Sequence, residues 1–451
     1  MHLTLSHFIH THCPTNLKPL LLKIEMSPIG YRLAKGAFWV LSGTVISRLC
    51  TFIASIFVAR LLGKTGFGEF GIIQSTIGMF GVFAGFGLGL TSTKYIAEFR
   101  ETDPARAGRI LSLSWLVALV TGGLMSIGLF LFSPWLATHT LNASHLESLI
   151  RIGAIVLFVS ALNGAQTGAL SGFEAFRSVA KVNLYCGLLS FPILVTCTWL
   201  GGVKGAIYGM AINTTVNWLL NHIEIRKIIK VKKIPITLCN CGKEVSVLWK
   251  FSLPALFAGA MVGPVNWFCN TLLVNQPNGY AEMGVYNAAN QWYTMMLFLP
   301  GILGQVVLPI LSNREQLNNS AGRSIKTMAN LIKMNALLVF PLVIVTCLFS
   351  PFIMGLYGEG FRNGWPTLVI ILFTSAIVTI QTPVGQLIAV SGKMWIGFIM
   401  NAGWGIMFIL LAFVFISKGS FGLAGSRLIG YILHTIWVFS YAFYIFRNQP
   451  K

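Results

Sequence analysis

Residues Ala37-Phe38-Trp39-Val40-Leu41 open an apolar run that continues to about Leu62, and this run decides the class of the chain. At ~1.5 Å of rise per residue it is long enough to cross a bilayer with some tilt. Arg48 interrupts it near the middle. A guanidinium at that depth costs ~2.5–3.5 kcal/mol on insertion scales, so its presence calls for a reason. Thr44, Arg48, Thr51 and Ser55 recur at spacings of four, three and four and share one helical face. Ile46, Cys50, Ile53 and Phe57 form the opposite, apolar face. The run closes in Ala59-Arg60-Leu61-Leu62-Gly63-Lys64-Thr65-Gly66-Phe67-Gly68-Glu69-Phe70-Gly71. A second apolar run follows, and its Gly78, Gly81 and Gly85 predict a small-residue face on which a neighbouring helix packs closely.

Composition extends this reading to the whole chain. Of 451 residues, 55% are hydrophobic and 10% charged, which excludes a soluble globular protein. The apolar runs are long and do not alternate, so the spans are helices and not barrel strands. The net charge is +20, from 32 Lys and Arg against 12 Asp and Glu. In a soluble chain such an excess points to nucleic acid. Here it points to cytoplasmic loops and anionic lipid, so membrane lipids are the expected partners and nucleic acid is not. Cys50, Cys186, Cys197, Cys269 and Cys347 fall inside spans as small apolar packers. Cys239-Asn240-Cys241 has no second pair of thiols nearby, so no metal and no cofactor are expected.

Hydropathy gives about twelve spans. Residues 1–33 read as a tail, and Met26 as a candidate start of translation. Residues 34–221 hold six spans, 222–247 form a basic linker, 248–446 hold six more, and 447–451 form a second tail. Lys and Arg crowd alternate loops: Lys94 to Arg109, Arg177 and Lys181, Arg226 to Lys243, and Arg314 to Lys333. Ser133 to Glu147 and Asn275 to Met283 carry neither. Both termini and the even loops are therefore cytoplasmic.

The two halves echo each other. Gly66-Phe67-Gly68-Glu69-Phe70-Gly71 matches Gly279-Tyr280-Ala281-Glu282-Met283-Gly284. Ala107-Gly108-Arg109 matches Ala321-Gly322-Arg323, and Gly202 to Ala206 matches Gly419 to Ala424. The offsets are 213 to 217 residues and the order is kept. A duplicated unit with an even number of spans keeps its orientation. The chain therefore reads as an all-α polytopic membrane protein with two parallel six-helix lobes around a central cleft.

The segments Ala59 to Gly63 and Phe67 to Gly71 resemble the first-hairpin signature of the bacterial polysaccharide (O-antigen-type) flippases. That family belongs to the multidrug/oligosaccharidyl-lipid/polysaccharide exporter superfamily. Gly168-Ala169-Leu170-Ser171-Gly172-Phe173-Glu174 and Gly202 to Gly209 are similar to it as well, and the likeness covers about Ser27 to Arg447. The resemblance implies a V-shaped cleft that opens alternately to each side of the bacterial inner membrane. It implies as cargo an undecaprenyl-diphosphate-linked oligosaccharide, moved from the cytoplasmic to the periplasmic leaflet. It further implies a polysaccharide polymerase and a chain-length regulator as partners.

Such a cargo needs a cation at membrane depth and a polar cleft. Arg48 is the first cationic candidate, with Thr44, Thr51 and Ser55 on its face; the expectation is that it meets the cleft and binds the pyrophosphate. Arg427 and His434 lie one heptad apart in the last span, with Tyr431 beside them. A cleft role and a snorkelling anchor nearer the periplasm both fit Arg427. Asn266 and Asn270 in the seventh span, and Asn287, Asn290 and Gln291 in the eighth, are polar candidates; amides that merely bond across helices are the competing reading. Pro254, Pro264, Pro300 and Pro309 predict interruptions in those two spans.

No catalytic set and no nucleotide-binding loop with Gly-Lys-Ser/Thr is present, so an enzyme is not expected. The alternative is a multidrug or cation antiporter of the same superfamily. That chemistry needs carboxylates inside the membrane, whereas Glu69 and Glu282 sit at hairpin ends and no Asp or Glu falls well inside a span. A membrane polysaccharide polymerase or ligase is a more distant alternative, because the odd loops are short.

Overall fold

The computed structural model describes residues 28–236, 240–253, 256, 260–312, 321–390 and 394–447, and every regular element among them is a helix. Among the described residues seven segments are long and apolar enough to cross a membrane, and three of these are 50 to 57 residues long, twice what one crossing needs. The reason lies at single glycines. α1 (Pro28–Gly85) is helical through two spans and folds back at Gly63, where φ is 66° and ψ −178°. α5 (Phe176–Lys232) folds back at Gly202, with φ 54° and ψ −137°. A left-handed φ of this kind costs a side-chain-bearing residue energy and glycine little.

The remaining elements follow in order. α2 (Leu88–Phe99) continues the second span after a break at Phe86-Gly87, both at positive φ. α3 (Pro104–Trp135) starts at Asp103, the sole aspartate, whose side chain accepts from the Arg106 backbone N–H at 2.9 Å. α4 (Glu147–Gly172) and α5 complete the first lobe. Span seven begins as a π-helical turn, Leu248–Ser252, and resumes as α6 (Val262–Val274). α7 (Gly279–Ser312), α8 (Ala321–Leu348), the short α9 (Ser350–Leu356), α10 (Trp365–Val390), α11 (Met394–Phe415) and α12 (Gly419–Arg447) complete the second lobe.

Several expectations change. α1 is helical from Pro28, so the tail gives way to helix before residue 34; residues before 28, including Met26, lie outside the described residues. Helix α5 runs on to Lys232, past the expected span end at 221. The remaining linker folds back on the first lobe. Ile234 is buried, and a side chain at Gly108 would strike the Pro235 carbonyl. Glu244 pairs with Arg106 at 3.1 Å and Arg109 at 3.2 Å. Helix α7 passes unbroken through Pro300 and Pro309. Pro264 sits in the first turn of α6, where a missing N–H breaks no intrahelical bond, and Pro254 lies outside the described residues. Cys239 lies outside them too. No cluster of three or more His, Cys, Asp or Glu occurs among the described residues.

The small-residue face is also displaced. A Cβ on Gly78 or Gly85 would meet nothing, and one on Gly81 only Leu157 at 3.7 Å. The close approach occurs about two to three turns earlier. Gly68 lies flush on the Tyr280 carbonyl, Gly284 on the Lys64 carbonyl, and a Cβ at Gly71 would sit 2.7 Å from Asn287 Nδ2. These are contacts between lobes, not within one.

The repeat has a geometric counterpart. Gly419 has φ 65° and ψ −142°, nearly the conformation of its sequence match Gly202. Three residues on, Gly205 packs on the Cys197 carbonyl and Gly422 on the Phe415 carbonyl. Equivalent turns thus close equivalent helix pairs in the two lobes.

One apolar core crosses the lobe boundary, from Val58 and Phe67 to Val343, Leu372 and Phe408. At the end carrying the short odd loops it becomes a seal. Phe67 is fully buried with its ring 6.4 Å from Tyr357 and 6.1 Å from Phe361. Arg60 Nε donates to the Leu356 carbonyl at 2.5 Å, and Tyr280 Oη to the Leu141 carbonyl at 2.7 Å. Ile46, Ile53 and Phe57 face outward, the position of lipid.

Candidate functional site

Between the lobes lies a cavity of about 360 Å³. The first lobe contributes Gly71, Gln74 and Ser75 from the second half of α1. Asn266 and Asn270 enter from α6, and Arg427 from α12. Helix α7 contributes Met283, Tyr286, Asn287, Asn290, Tyr293 and Thr294, a spacing that places them on one face.

Arg427 is the only charged residue in this lining. It is 5% exposed, so it does not snorkel, and the anchoring alternative falls away. Nη1 donates to Asn290 Oδ1 at 2.8 Å and to Tyr286 Oη at 3.2 Å. The guanidinium carbon lies 4.1 Å from the Tyr293 ring centroid and 5.9 Å from that of Tyr431. Nε is buried without a partner, and no carboxylate pairs with Arg427 among the described residues. Phenols and an amide thus hold the cation in place while its charge stays uncompensated. A buried charge in that state attracts an anion strongly.

The amides divide into two roles. Asn270 Nδ2 donates to Ser75 Oγ at 2.9 Å, across the lobes, and Trp267 Nε1 donates to Thr76 Oγ1 at 3.0 Å beside it. Asn266 is half-buried and donates to its own helix at Val262 O. Asn287 Nδ2 is buried without a partner against Gly71.

The other sequence candidates lie outside the cavity lining. Thr44 accepts from Asn183 Nδ2 at 3.1 Å, and Thr51 lies 3.3 Å from Ser190 Oγ. Both therefore serve the seam between α1 and α5, where Gly187 packs on Ser47. Ser55 donates to Gln291 Oε1 and joins the lobes beside the cavity. Arg48 is exposed, with its guanidinium 4.5 Å from the Phe298 ring of α7. The shared face breaks up because α1 is wedged between α5 and α7, so residues four apart meet different helices. His434 is buried behind Tyr431 and bonds to Gln381 of α10.

Depth follows from the glycine turns. Arg48 is 15 residues from Gly63, ~22 Å of helix, and Arg427 is eight residues from Gly419, ~12 Å. In a ~30 Å hydrocarbon core that places Arg427 nearer the midplane and Arg48 in the half away from the glycine turns. Sequence reading missed Gln74, Ser75, Tyr286, Tyr293 and Thr294. The available signal was that all five are polar or phenolic and fall at helical spacing around Gly71, Asn287 and Asn290.

Together the fold and the cavity define a multi-span membrane transporter built from two repeated lobes, with one cation at its centre. The model of the family described as "Polysaccharide biosynthesis protein" matches residues 33–315, and the chain belongs to that family. It is 23% identical over 393 residues to the "EPS I polysaccharide export inner membrane protein EpsE" of Ralstonia nicotianae, covering 86% of this chain and 88% of that one. It is 22% identical over 408 residues to the "Putative O-antigen transporter" of Shigella flexneri, covering 87% and 93%. It is 22% identical over 284 residues to the "Lipid III flippase" of Escherichia coli, covering 62% and 67%. Among solved structures, an inward-facing multidrug resistance MATE family transporter of the MOP superfamily superposes with a TM-score of 0.73 at 15% identity, covering 92% of this chain and 100% of that one.

Proposed function

We propose that the chain is a flippase of the bacterial inner membrane. It carries an undecaprenyl-diphosphate-linked oligosaccharide, the repeat unit of an O-antigen or similar surface polysaccharide, from the cytoplasmic to the periplasmic leaflet. The observation that carries this reading is Arg427: buried, at the cleft, and uncompensated by any carboxylate among the described residues. The pyrophosphate of the lipid carrier supplies the missing negative charge, and a planar guanidinium offers it paired donors. Gln74, Asn266, Asn270 and Asn287 then face the sugar hydroxyls with donors and acceptors. Arg48 acts earlier, as a cation that meets the headgroup in the cytoplasmic half of the cleft. Lobes 34–221 and 248–446 move as the two bodies of an alternating-access cycle, with the linker docked on the first. A polysaccharide polymerase and a chain-length regulator receive the product.

The names of the relatives support polysaccharide traffic, and the electrostatics oppose the antiporter alternative. Glu282 accepts from the Ser420 backbone N–H at 2.8 Å and from its hydroxyl at 2.6 Å, so it is engaged at a hairpin end and not facing the cleft. The test is a deletion strain assayed for lipid-linked sugar. Accumulation on the cytoplasmic leaflet, reversed by the gene, is expected; an unchanged leaflet distribution together with lost drug tolerance overturns the proposal.

A further inference from the structure

We propose that the first lobe carries a binding site for uncharged sugars, a groove separate from the cavity at Arg427; it rests on the reading of the cargo given above. Three spans build it: the second span of α1, α4, and the second span of α5. Between Phe67 and Gly89 the only exposed residues are Gln74 and Gly78, one turn apart, and Gln74 also lines the central cavity. On α4 the last exposed apolar residue is Ile155. From there to Gly172 the exposed residues are Ser160, Gly164 and Thr167, at spacings of four and three on one face. On α5 the exposed residues between Gly205 and Glu224 are Tyr208, Ile212, Leu219 and Ile223, which share the lipid side, and Asn213, Asn217 and Asn221 lie opposite them. An open face of Ser, Gly and Thr at membrane depth fits water and polar cargo, not hydrocarbon chains.

The side chains of α4 and α5 meet in one network with open ends. Asn221 Nδ2 faces three oxygens: Asn163 Oδ1, Asn217 Oδ1 at 2.8 Å and Thr167 Oγ1 at 3.4 Å. Asn163 Nδ2 and Asn217 Nδ2 have no protein partner among the described residues, and neither atom is buried. If all three amides turn over, Asn221 accepts from both neighbours, and the two open amino groups become two open carbonyls. Amides that only tie helices together use both ends. Here two ends stay open in either orientation. A sugar hydroxyl donates and accepts, so it satisfies both. No Asp, Glu, Lys or Arg occurs on α4 between Arg151 and Glu174 or on α5 between Lys204 and Glu224. Glu224 itself is held by Ser178 at 2.6 Å and Lys227 at 2.7 Å. The groove therefore offers neither a drug cation nor a phosphate an opposite charge.

The groove also has room. A Cβ on Gly78, Gly85 or Gly164 would meet nothing. Its depth matches the first cation. Gly78 lies 15 residues beyond the Gly63 turn, Arg48 15 residues before it, and Asn217 15 residues beyond the Gly202 turn. The two turns lie side by side, with Gly66 against Val203. All three residues are thus ~22 Å of helix from the turns, in the half away from them. A carrier headgroup at Arg48 accordingly holds its glycan at the level of this groove. The first lobe takes up the sugars there before the diphosphate moves on to Arg427.

The full-length protein in lipid nanodiscs is tested for binding of two probes. One is undecaprenyl diphosphate without sugar, and the other is the undecaprenyl-diphosphate-linked oligosaccharide extracted from a strain deleted for this gene. Asn217→Leu removes one open end of the network. Gly164→Leu fills the groove without touching an amide, and it decides the matter where Asn217→Leu does not reach the membrane. Wild type is expected to bind the oligosaccharide on the order of tenfold more tightly than the bare diphosphate. Both variants are expected to lose that tenfold and to bind the bare diphosphate as wild type does. Equal affinity of wild type for the two probes, an unchanged oligosaccharide affinity in Gly164→Leu, or equal weakening of both probes in the variants overturns the sugar site and leaves the anion reading of the cleft standing. A wild type that binds neither probe overturns the cargo reading and the sugar site with it.

Discussion

Replacing Arg427 with methionine removes the guanidinium and keeps an unbranched apolar stem. In the empty protein two effects oppose each other. The bonds to Asn290 and Tyr286 and the contact with the Tyr293 ring are lost. A hydrogen bond to a charged group contributes ~1.5–3 kcal/mol and a desolvated cation–π contact ~2 kcal/mol. Against this, an unpaired buried cation carries a desolvation penalty of several kcal/mol, which methionine relieves. The terms offset, so Arg427→Met is expected to reach the membrane at near wild-type level. With cargo bound nothing offsets the loss. Two charge-assisted bonds to phosphate oxygens are worth ~3–6 kcal/mol, and at ~1.4 kcal/mol per tenfold their removal slows flipping ~10²–10⁴-fold. Arg427→Lys keeps the charge but not the fork and is expected to lose about tenfold. The assay is flipping of a fluorescent lipid-linked oligosaccharide in proteoliposomes, with membrane abundance by immunoblot and surface polysaccharide in a deletion strain. Wild-type flipping by abundant Arg427→Met would falsify the anion role. So would an Arg427→Met protein that never accumulates beside a fully active Arg427→Lys, which would make the residue structural.

Gly68→Val is expected to lower the melting temperature of the detergent-solubilised protein, by ~1–3 kcal/mol of overpacking against the Tyr280 carbonyl, whereas Gly78→Ala melts as wild type; equal melting of all three would show that the lobes do not meet at Gly68. Arg48→Ala leaves an exposed site and is expected to keep normal abundance and lose about tenfold in flipping, less than Arg427→Met, measured in the same proteoliposomes; a larger loss than Arg427→Met reverses their order of importance. Glu244→Gln leaves Arg106 and Arg109 without their shared carboxylate, so the linker should become more accessible to protease at a cost of ~1–3 kcal/mol; an unchanged cleavage pattern would mean that the ion pairs do not hold it.

Helical class and lobe repeat are legible in the sequence because each rests on a long or repeated pattern. An apolar run of bilayer length leaves the backbone one solution, and charge in alternate loops orients it. The glycine turns at Gly202 and Gly419 are written in a matched motif, and they take matching dihedral angles. The site was harder to read. Asn266, Asn270, Asn287 and Arg427 do line the cavity, but Arg48, Thr44, Thr51, Ser55, Gln291 and His434 do not. Helical periodicity reports which residues share a face and not which helix that face meets. In a membrane every face is apolar, so the pattern that marks the buried side of a soluble helix is missing. Small residues mislead in the same way: Gly68 and Gly78 look alike in sequence, and only the first is pressed against another backbone.

The cations are spaced along the path that an anion would take. Arg48 lies ~22 Å of helix from the Gly63 turn, and Arg427 ~12 Å from the Gly419 turn. In the proposed cycle a headgroup entering from the cytoplasmic side meets the exposed cation first and the buried one second. The second holds more strongly because its surroundings have a lower dielectric. Beyond it the route ends at the packed rings of Phe67, Tyr357 and Phe361. Release to the other side therefore requires the aromatic seal to part. The contacts there are rigid: glycines against carbonyls, and Arg60 on the Leu356 carbonyl. Backbone against backbone cannot yield by changing a rotamer, so opening has to separate the lobes as bodies. That makes the seal a threshold that only a bound ligand's differential affinity for the two states can shift. In the proposed cycle that affinity comes from Arg427, whose partners Tyr286, Asn290 and Tyr293 all lie on α7, the same helix whose Gly284 rests on Lys64 at the seal.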